Sequence, residues 1–107
     1  MRIGSVGMAG ALLIVAAGAC ARPARESLVQ RGQGVFERSG CYSCHTVGRV
    51  GTPLAPDLSR IGAKYPADYL ARWLRDPAAQ RPHANMPALE LTDSDIQALA
   101  AYLGTLQ

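Results

Sequence analysis

Large side chains that could fill a protein interior are scarce in this sequence. Its 107 residues include one Trp, one Phe and four Tyr. A chain of this size with so little bulky apolar material is marginally stable unless a cross-link or a bound group fills the interior. The sequence shows no internal repeat, and it shows no low-complexity segment after its first 19 residues. We therefore expect one small domain built around something other than its own side chains.

Lysine is nearly missing as well, and this limits the possible partners. The net charge is +3, but Lys64 is the single lysine and the arginines are scattered along the chain. Without Arg2, which lies in the apolar leader, ten basic residues stand against eight acidic ones. Proteins that bind nucleic acids carry clustered basic patches, and no such cluster is present in the sequence. The sequence predicts no nucleic-acid partner.

The first 19 residues have the pattern of an export signal. Arg2 supplies a positive start, and residues 3–19 carry no charge and are rich in Ala, Gly, Val, Leu and Ile. The stretch ends Ala17-Gly18-Ala19-Cys20, which is similar to a bacterial lipobox although Leu is usual at the position of Ala17. In this interpretation residues 1–19 are a lipoprotein-type signal peptide and Cys20 is acylated. The protein is then exported and lipid-anchored, in the periplasm or at the outer face of a membrane.

Two alternatives to a lipid anchor stay open. The segment Ala17-Gly18-Ala19 also satisfies the small-residue rule of an ordinary signal peptidase, which would release a soluble protein. A leader that is not cut would be barely long enough to span a bilayer. Removal of the first 19 of the 107 residues would leave 88, enough for one small domain.

The most informative stretch is Cys41-Tyr42-Ser43-Cys44-His45. Two cysteines three residues apart can each form a thioether to a haem vinyl group, and the adjacent histidine can then bind the iron. The sequence therefore predicts one covalent haem c attached through Cys41 and Cys44, with His45 as an axial ligand. If Cys20 is acylated, all three cysteines of the chain are then accounted for. A buried haem would also fill the sparse interior.

Two other chemistries use paired cysteines. A thioredoxin-like dithiol needs a βαβ setting, and no clear parallel-strand pattern surrounds Cys41 and Cys44. A structural zinc site needs four ligands, and the further candidates are His83 and the distant Cys20, without a second C-x-x-C pair. Haem attachment is the better-supported hypothesis.

A six-coordinate haem needs a second axial ligand, which Met or His can supply. Once the leader is removed, Met86 is the single remaining methionine. It lies 41 residues after His45, and Pro87 restricts it to an extended conformation that can project the thioether towards a flat ligand. The competing candidate is His83, three residues earlier in the same Pro-bounded loop. Met86 is the preferred second ligand, and it would raise the reduction potential relative to two histidines.

Apolar periodicity predicts a helix over residues 26–38 and a second helix that opens around Tyr65-Pro66 and ends at Asp76-Pro77. Glycine inside a helix costs about 1 kcal/mol relative to Ala. We therefore expect that Gly32, within the first helix, marks a close approach by another helix.

Thr92 and the acidic residues that follow it predict the start of a last helix over residues 93–106. The glycines and prolines of residues 46–64 exclude long regular structure there. The prolines around residues 78–87 predict an extended loop.

Four separated segments together resemble the class I c-type cytochromes, which carry one haem. The resemblance covers residues 26–106 and is carried, besides the haem motif, by Gly32-Gln33-Gly34-Val35-Phe36, Ala55-Pro56-Asp57-Leu58, Asn85-Met86-Pro87 and residues 99–103. It implies an all-α fold of three to four helices and loops wrapped around one covalently bound haem. Residues 26–107 are then the cytochrome c domain.

The resemblance also implies particular contacts. The carbonyl of Pro56 accepts a hydrogen bond from the His45 imidazole, a role that Pro53 could also fill. The first and last helices cross near Gly32, with Phe36, Leu99 and Tyr102 at the contact. Trp73 either packs near a haem propionate or is an ordinary core residue.

These features predict a one-electron carrier without catalytic turnover of its own, tethered to a membrane or serving as a subunit of a respiratory electron-transport complex. Residues 20–25 would be a short tether, because residues 21–25 span at most about 18 Å when extended. The expected partners are redox proteins of a membrane respiratory complex. The alternative is a haem protein with an open distal position, such as a gas sensor or a haem enzyme.

Overall fold

A computed structural model describes residues 3–5, 7–13 and 21–107 of the chain. Residues 3–5 and 7–13 are exposed and carry neither helix nor strand. The cleavage site and Cys20 lie outside the described residues, so the signal peptide and the lipid anchor stay predictions. Within the described part of the chain, we find no helix with both the length and the apolar character needed to cross a membrane.

Three main helices form where the apolar periodicity predicts them: α1 is Ala21–Arg38, α3 is Ala67–Arg75 and α5 is Asp93–Gly104. The start of α1 lies five residues before the predicted start at Glu26. The added turn is rich in Ala and Arg, which favour helix, and Pro23 lies in the first turn, where its missing N–H has no partner within the helix. As helix, residues 21–25 rise about 8 Å instead of spanning 18 Å.

Short elements occupy the first predicted loop region. An antiparallel hairpin pairs β1, Thr46–Val47, with β2, Val50–Gly51, and one helical turn, α2, spans Ile61–Lys64. None of these elements exceeds four residues, so the prediction that long regular structure is excluded there is confirmed.

The second predicted loop begins with a helical turn instead. Helix α4 spans Pro77–Gln80, so the prediction of extended structure from residue 78 was wrong for its first three residues. Asp76 caps this turn by accepting a hydrogen bond from the backbone N–H of Ala79 at 3.2 Å, and Pro77 occupies the first helical position. The Asp-Pro pair that ends α3 therefore also starts α4.

The predicted cap of α5 is confirmed. The Thr92 hydroxyl accepts a hydrogen bond from the Asp95 N–H at 3.0 Å, and the Asp95 carboxylate accepts one from the Thr92 N–H at 3.3 Å. The bond with Thr92 is the main cause that lowers the pKa of Asp95. The same carboxylate accepts a hydrogen bond from Arg38 at 3.0 Å, which joins the end of α1 to the start of α5. Helix α5 ends at Gly104, two residues before the predicted end.

Helices α1 and α5 cross at Gly32, as predicted. A β-carbon on Gly32 would lie 2.6 Å from the carbonyl carbon of Ala98 and 2.8 Å from the β-carbon of Tyr102, far inside van der Waals contact. Phe36 and Leu99 are fully buried at this contact, and the Phe36 and Tyr102 rings meet edge to face with centroids 5.5 Å apart. The backbone approach explains why a helix tolerates glycine here.

The core is formed by the facing sides of the three main helices. Its buried members are Val35, Phe36, Leu70, Leu74, Ile96, Leu99, Ala100, Tyr102 and Leu103. Helix α3 packs on α5 beside α1, so α5 is the central element of the core.

We expect that Gly32→Ala destabilises the protein by about 1–3 kcal/mol, because the new methyl group meets backbone atoms that cannot rotate away. Gly34→Ala is the matched control, since a β-carbon there meets nothing within 4 Å. That change should stabilise the same helix by up to about 1 kcal/mol. Urea unfolding of the holoprotein, followed by far-ultraviolet circular dichroism, measures both. Equal effects of the two substitutions would contradict the crossing.

Candidate functional site

The two cysteines of the C-x-x-C-H motif lie on a short 3-10 turn directly after α1. Gly40 ends α1 in the left-handed region with φ of 78°, a conformation that favours glycine, and its carbonyl accepts the Ser43 N–H at 2.9 Å. The His45 N–H donates to the Cys41 carbonyl at 2.9 Å, which closes the turn. Cys41 is half-buried and Cys44 is exposed, and both are free thiols. Burial raises the pKa of the Cys41 thiol.

A cavity of about 920 Å³ opens beside this turn, at the large end of the range of ligand pockets. It brings together the five predicted site residues that the structure describes, from three separate parts of the chain. They are Cys41, Cys44, His45, Pro56 and Met86. The sixth predicted residue, Cys20, lies outside the described residues.

The His45 imidazole is oriented by the loop that follows the hairpin. Its Nδ1 lies 2.7 Å from the carbonyl oxygen of Pro56. A carbonyl can only accept, so Nδ1 carries the proton and Nε2 keeps a free lone pair. The geometry leaves Nε2 available to a metal, and the carbonyl that holds the ring belongs to Pro56, not Pro53.

Met86 is half-buried against the core, and its sulfur has a hydrogen-bond partner that the sequence did not reveal. The indole N–H of Trp73, on α3, donates to Met86 Sδ at 3.2 Å. The spacing of Trp73 with Leu70 and Leu74 places it on the inner face of α3, but carries no sign of a contact 13 residues further along. His83 is exposed and also lines the cavity.

The cavity wall is mainly apolar. Buried side chains from the three main helices form it, together with Tyr65 and Tyr69, whose rings stack at 4.7 Å. The buried contributors are Phe36, Leu70, Leu74, Leu99 and Leu103. Such a wall suits a large, flat apolar group whose few polar atoms are met at defined points.

The donor set and the cavity together fit a covalently bound haem. Two thiols, an imidazole with a free nitrogen and a thioether are the groups that haem c requires for its attachment and for the two axial positions of its iron. In the part of the chain that the structure describes, no three His, Cys, Asp or Glu side chains gather as a metal-binding group. A structural zinc module therefore has no support among these residues.

A polar cluster beside His45 has no counterpart in the sequence patterns. The Asp57 carboxylate accepts hydrogen bonds from the Thr46 hydroxyl at 2.9 Å and from the Ser59 hydroxyl at 2.7 Å. The largest cause that lowers the pKa of Asp57 is the bond from Ser59, followed by the bond from Thr46. Asp, Thr and Ser in adjacent loops have no periodicity that would have signalled their contact.

Comparisons with curated proteins show related sequences in respiratory complexes. The chain is 35% identical over 91 residues to the second subunit of cytochrome c oxidase from Alkalihalophilus pseudofirmus, covering 77% of this chain and 27% of that protein. It is 30% identical over 87 residues to a nitric oxide reductase subunit from Halomonas halodenitrificans, covering 73% of this chain and 57% of that protein. The chain thus spans between about a quarter and three fifths of these relatives.

A solved structure and a family model agree with these matches. The c-type cytochrome SorU from Sinorhizobium meliloti superposes with a TM-score of 0.61 at 30% identity, covering 76% of this chain and 92% of that one. The family model for cytochrome c matches residues 29–107. The predicted all-α, class I cytochrome c fold and the predicted haem c are thereby confirmed. From its helix crossing to its haem motif, this chain belongs to the cytochrome c family.

Proposed function

We propose that this cytochrome is a one-electron carrier whose haem is ligated by His45 and Met86 and that acts at a membrane respiratory complex. Haem-based electron transfer follows from the family. The observation that supports the finer assignment is a cavity that contains both C-x-x-C thiols, an imidazole with a free Nε2 and a thioether. The bound haem supplies an Fe(III)/Fe(II) couple.

Each residue then has a distinct task. Cys41 and Cys44 form the two thioether bonds, which fix the haem against the turn after α1. His45 binds iron through Nε2, since Nδ1 is committed to Pro56. Met86 binds through its sulfur, and a thioether raises the reduction potential relative to a second imidazole. With both axial positions filled, the protein carries electrons without binding a substrate at the iron.

Trp73 supports the choice of Met86 over His83. Its indole N–H meets a sulfur lone pair at 3.2 Å, which restricts the rotation of a flexible side chain. A thioether has two lone pairs, so one can accept this bond while the other binds iron. His83 is exposed and sits in the same loop, and Met86 is the more deeply placed of the two.

The partner and location rest on the relatives. Those relatives belong to a cytochrome c oxidase and to nitric oxide reductases, which supports a membrane respiratory complex as the redox partner. Cytochrome c domains of such proteins are usually exported, in agreement with the leader. Acylated Cys20 would hold the protein at the membrane. Electrons would enter and leave where Cys44 is exposed beside Leu54, whose side chain is 77% exposed on the cavity rim.

Met86→Ala tests the axial assignment. We expect loss of the sulfur-to-iron charge-transfer absorption band and a lower reduction potential, because the thioether that stabilises ferrous iron is removed. The ferrous variant should also bind carbon monoxide rapidly, whereas the wild-type protein should bind it slowly. Optical spectroscopy and redox titration of the holoprotein measure these changes.

His83→Ala is the matched control for this substitution. It lines the same cavity three residues away and should leave the absorption band and the potential unchanged. The opposite pattern, with the spectrum sensitive to His83 and indifferent to Met86, would refute thioether ligation. Rapid carbon monoxide binding by the wild-type protein would instead support the open-site alternative.

Trp73→Phe removes the hydrogen bond to Met86 and retains an aromatic ring. The indole donor withdraws electron density from the sulfur and so weakens its donation to ferric iron. We therefore expect a lower reduction potential in the variant, with the Met86 absorption band retained. Tyr69→Phe is the control, since it changes one hydroxyl on the same cavity wall. A potential that drops equally in both variants would show that the effect is not specific to the sulfur.

Cys20→Ala tests the membrane anchor. Expressed in a bacterial host that processes lipoproteins, the wild-type haem protein should fractionate with membranes, and the variant should be retained uncut or released in soluble form. Mass analysis of the mature N-terminus checks for an acylated cysteine. A wild-type N-terminus at Cys20 without lipid would contradict the anchor and indicate ordinary signal cleavage.

A further inference from the structure

Asp57 receives an unusual concentration of hydrogen bonds for a loop carboxylate. A single oxygen, Oδ1, accepts from the Thr46 hydroxyl at 2.9 Å, the Ser59 hydroxyl at 2.7 Å and the Ser59 N–H at 3.2 Å. Thr46 directly follows His45 in the chain, and Asp57 directly follows Pro56. The carboxylate therefore ties together the residues that come after the two members of the His45–Pro56 hydrogen bond.

Further hydrogen bonds extend this connection along both segments. The Ser59 hydroxyl accepts the Gly48 N–H at 2.7 Å, and the Leu58 N–H donates to the Thr46 carbonyl at 2.8 Å. On the other side of the imidazole, the Ala55 N–H donates to the Cys44 carbonyl at 2.7 Å. Residues 44–48 and 55–59 are thus joined on both sides of the ring.

Pro56 needs such support because of its own chemistry. Proline has no backbone N–H, so Pro56 cannot anchor itself through a backbone donor, and its neighbours must set the direction of its carbonyl. Pro56 is also exposed, so little packing holds it. A carboxylate acceptor forms stronger hydrogen bonds than a neutral one. The bonds from Ser59 and Thr46 lower the pKa of Asp57, which keeps the carboxylate ionised at neutral pH.

We propose that Asp57 is a positioning residue for the iron-binding histidine: its carboxylate, held by Thr46 and Ser59, fixes the Pro56 carbonyl that orients the His45 imidazole. This inference rests on the proposed role of His45 as an axial ligand. Groups that hold a ligating histidine from behind set its ring orientation and its basicity. Asp57 thereby influences the iron without contacting it.

The test follows the Nδ1 proton of His45 by NMR in the reduced holoprotein. Asp57→Ala should speed the exchange of this proton with water by about tenfold, because the bond to Pro56 opens more often. Thr46→Val keeps the side-chain shape, removes only the hydroxyl donor, and should speed exchange in the same direction. Asp57→Asn keeps an oxygen acceptor and should restore exchange to nearly the wild-type rate. Asp93→Ala, an exposed carboxylate at the start of α5, is the charge-matched control and should have no effect.

The backbone N–H of Leu99, buried in α5, serves as the reference for global opening. The proposal is overturned if the Leu99 proton accelerates as much as the His45 proton, since the effect is then general instability. It is also overturned if Asp57→Asn exchanges as fast as Asp57→Ala, or if neither Asp57→Ala nor Thr46→Val changes the rate. A wild-type His45 whose ring protons lack the large haem-induced shifts of an axial ligand would instead refute the proposed ligation itself.

Discussion

The close approach of α1 and α5 at Gly32 is the constraint on which the rest of the structure depends. Because the two backbones meet there, Phe36 is buried one turn further along α1, against Leu99 and Tyr102. Helix α1 then has only enough length to reach Arg38 before Gly40 reverses the chain. The turn that follows brings Cys41 and Cys44 to the edge of the core. A larger residue at position 32 would separate the helices and move the attachment point of the haem.

The haem cavity combines strong local constraint with loops that have little regular structure. Its apolar wall comes from helices, whereas the proposed ligands come from the turn and from a loop after α4. A loop residue can hold an exact direction only if other groups restrain it. Pro56 restrains His45 at 2.7 Å, and Trp73 restrains Met86 at 3.2 Å. Each proposed ligand thus has one hydrogen-bond partner, supplied from a different segment of the chain.

The features that could be predicted from the sequence are those with a local or periodic signal. The haem motif, the Thr92 cap and the glycine of the helix crossing each depend on residues within one turn or on one helix face. Helix α4 was missed because the Asp-Pro pair was interpreted only as an end, although the same pair can start a helix. The Trp73–Met86 and Thr46–Asp57 contacts join residues 13 and 11 positions apart. Only the folded chain brings such residues together, so no spacing rule could have revealed them.

The early start of α1 changes how the proposed anchor would act. A flexible tether of residues 21–25 would let the cytochrome turn freely at the membrane surface. Helix α1 instead runs without interruption from Ala21 to Arg38, 18 residues or about 27 Å along its axis. If Cys20 is acylated, this helix would act as a stiff arm between the lipid and the turn that carries the haem. A stiff arm restricts the orientations that the exposed Cys44 edge can adopt, which favours a partner fixed in the same membrane over a freely diffusing one.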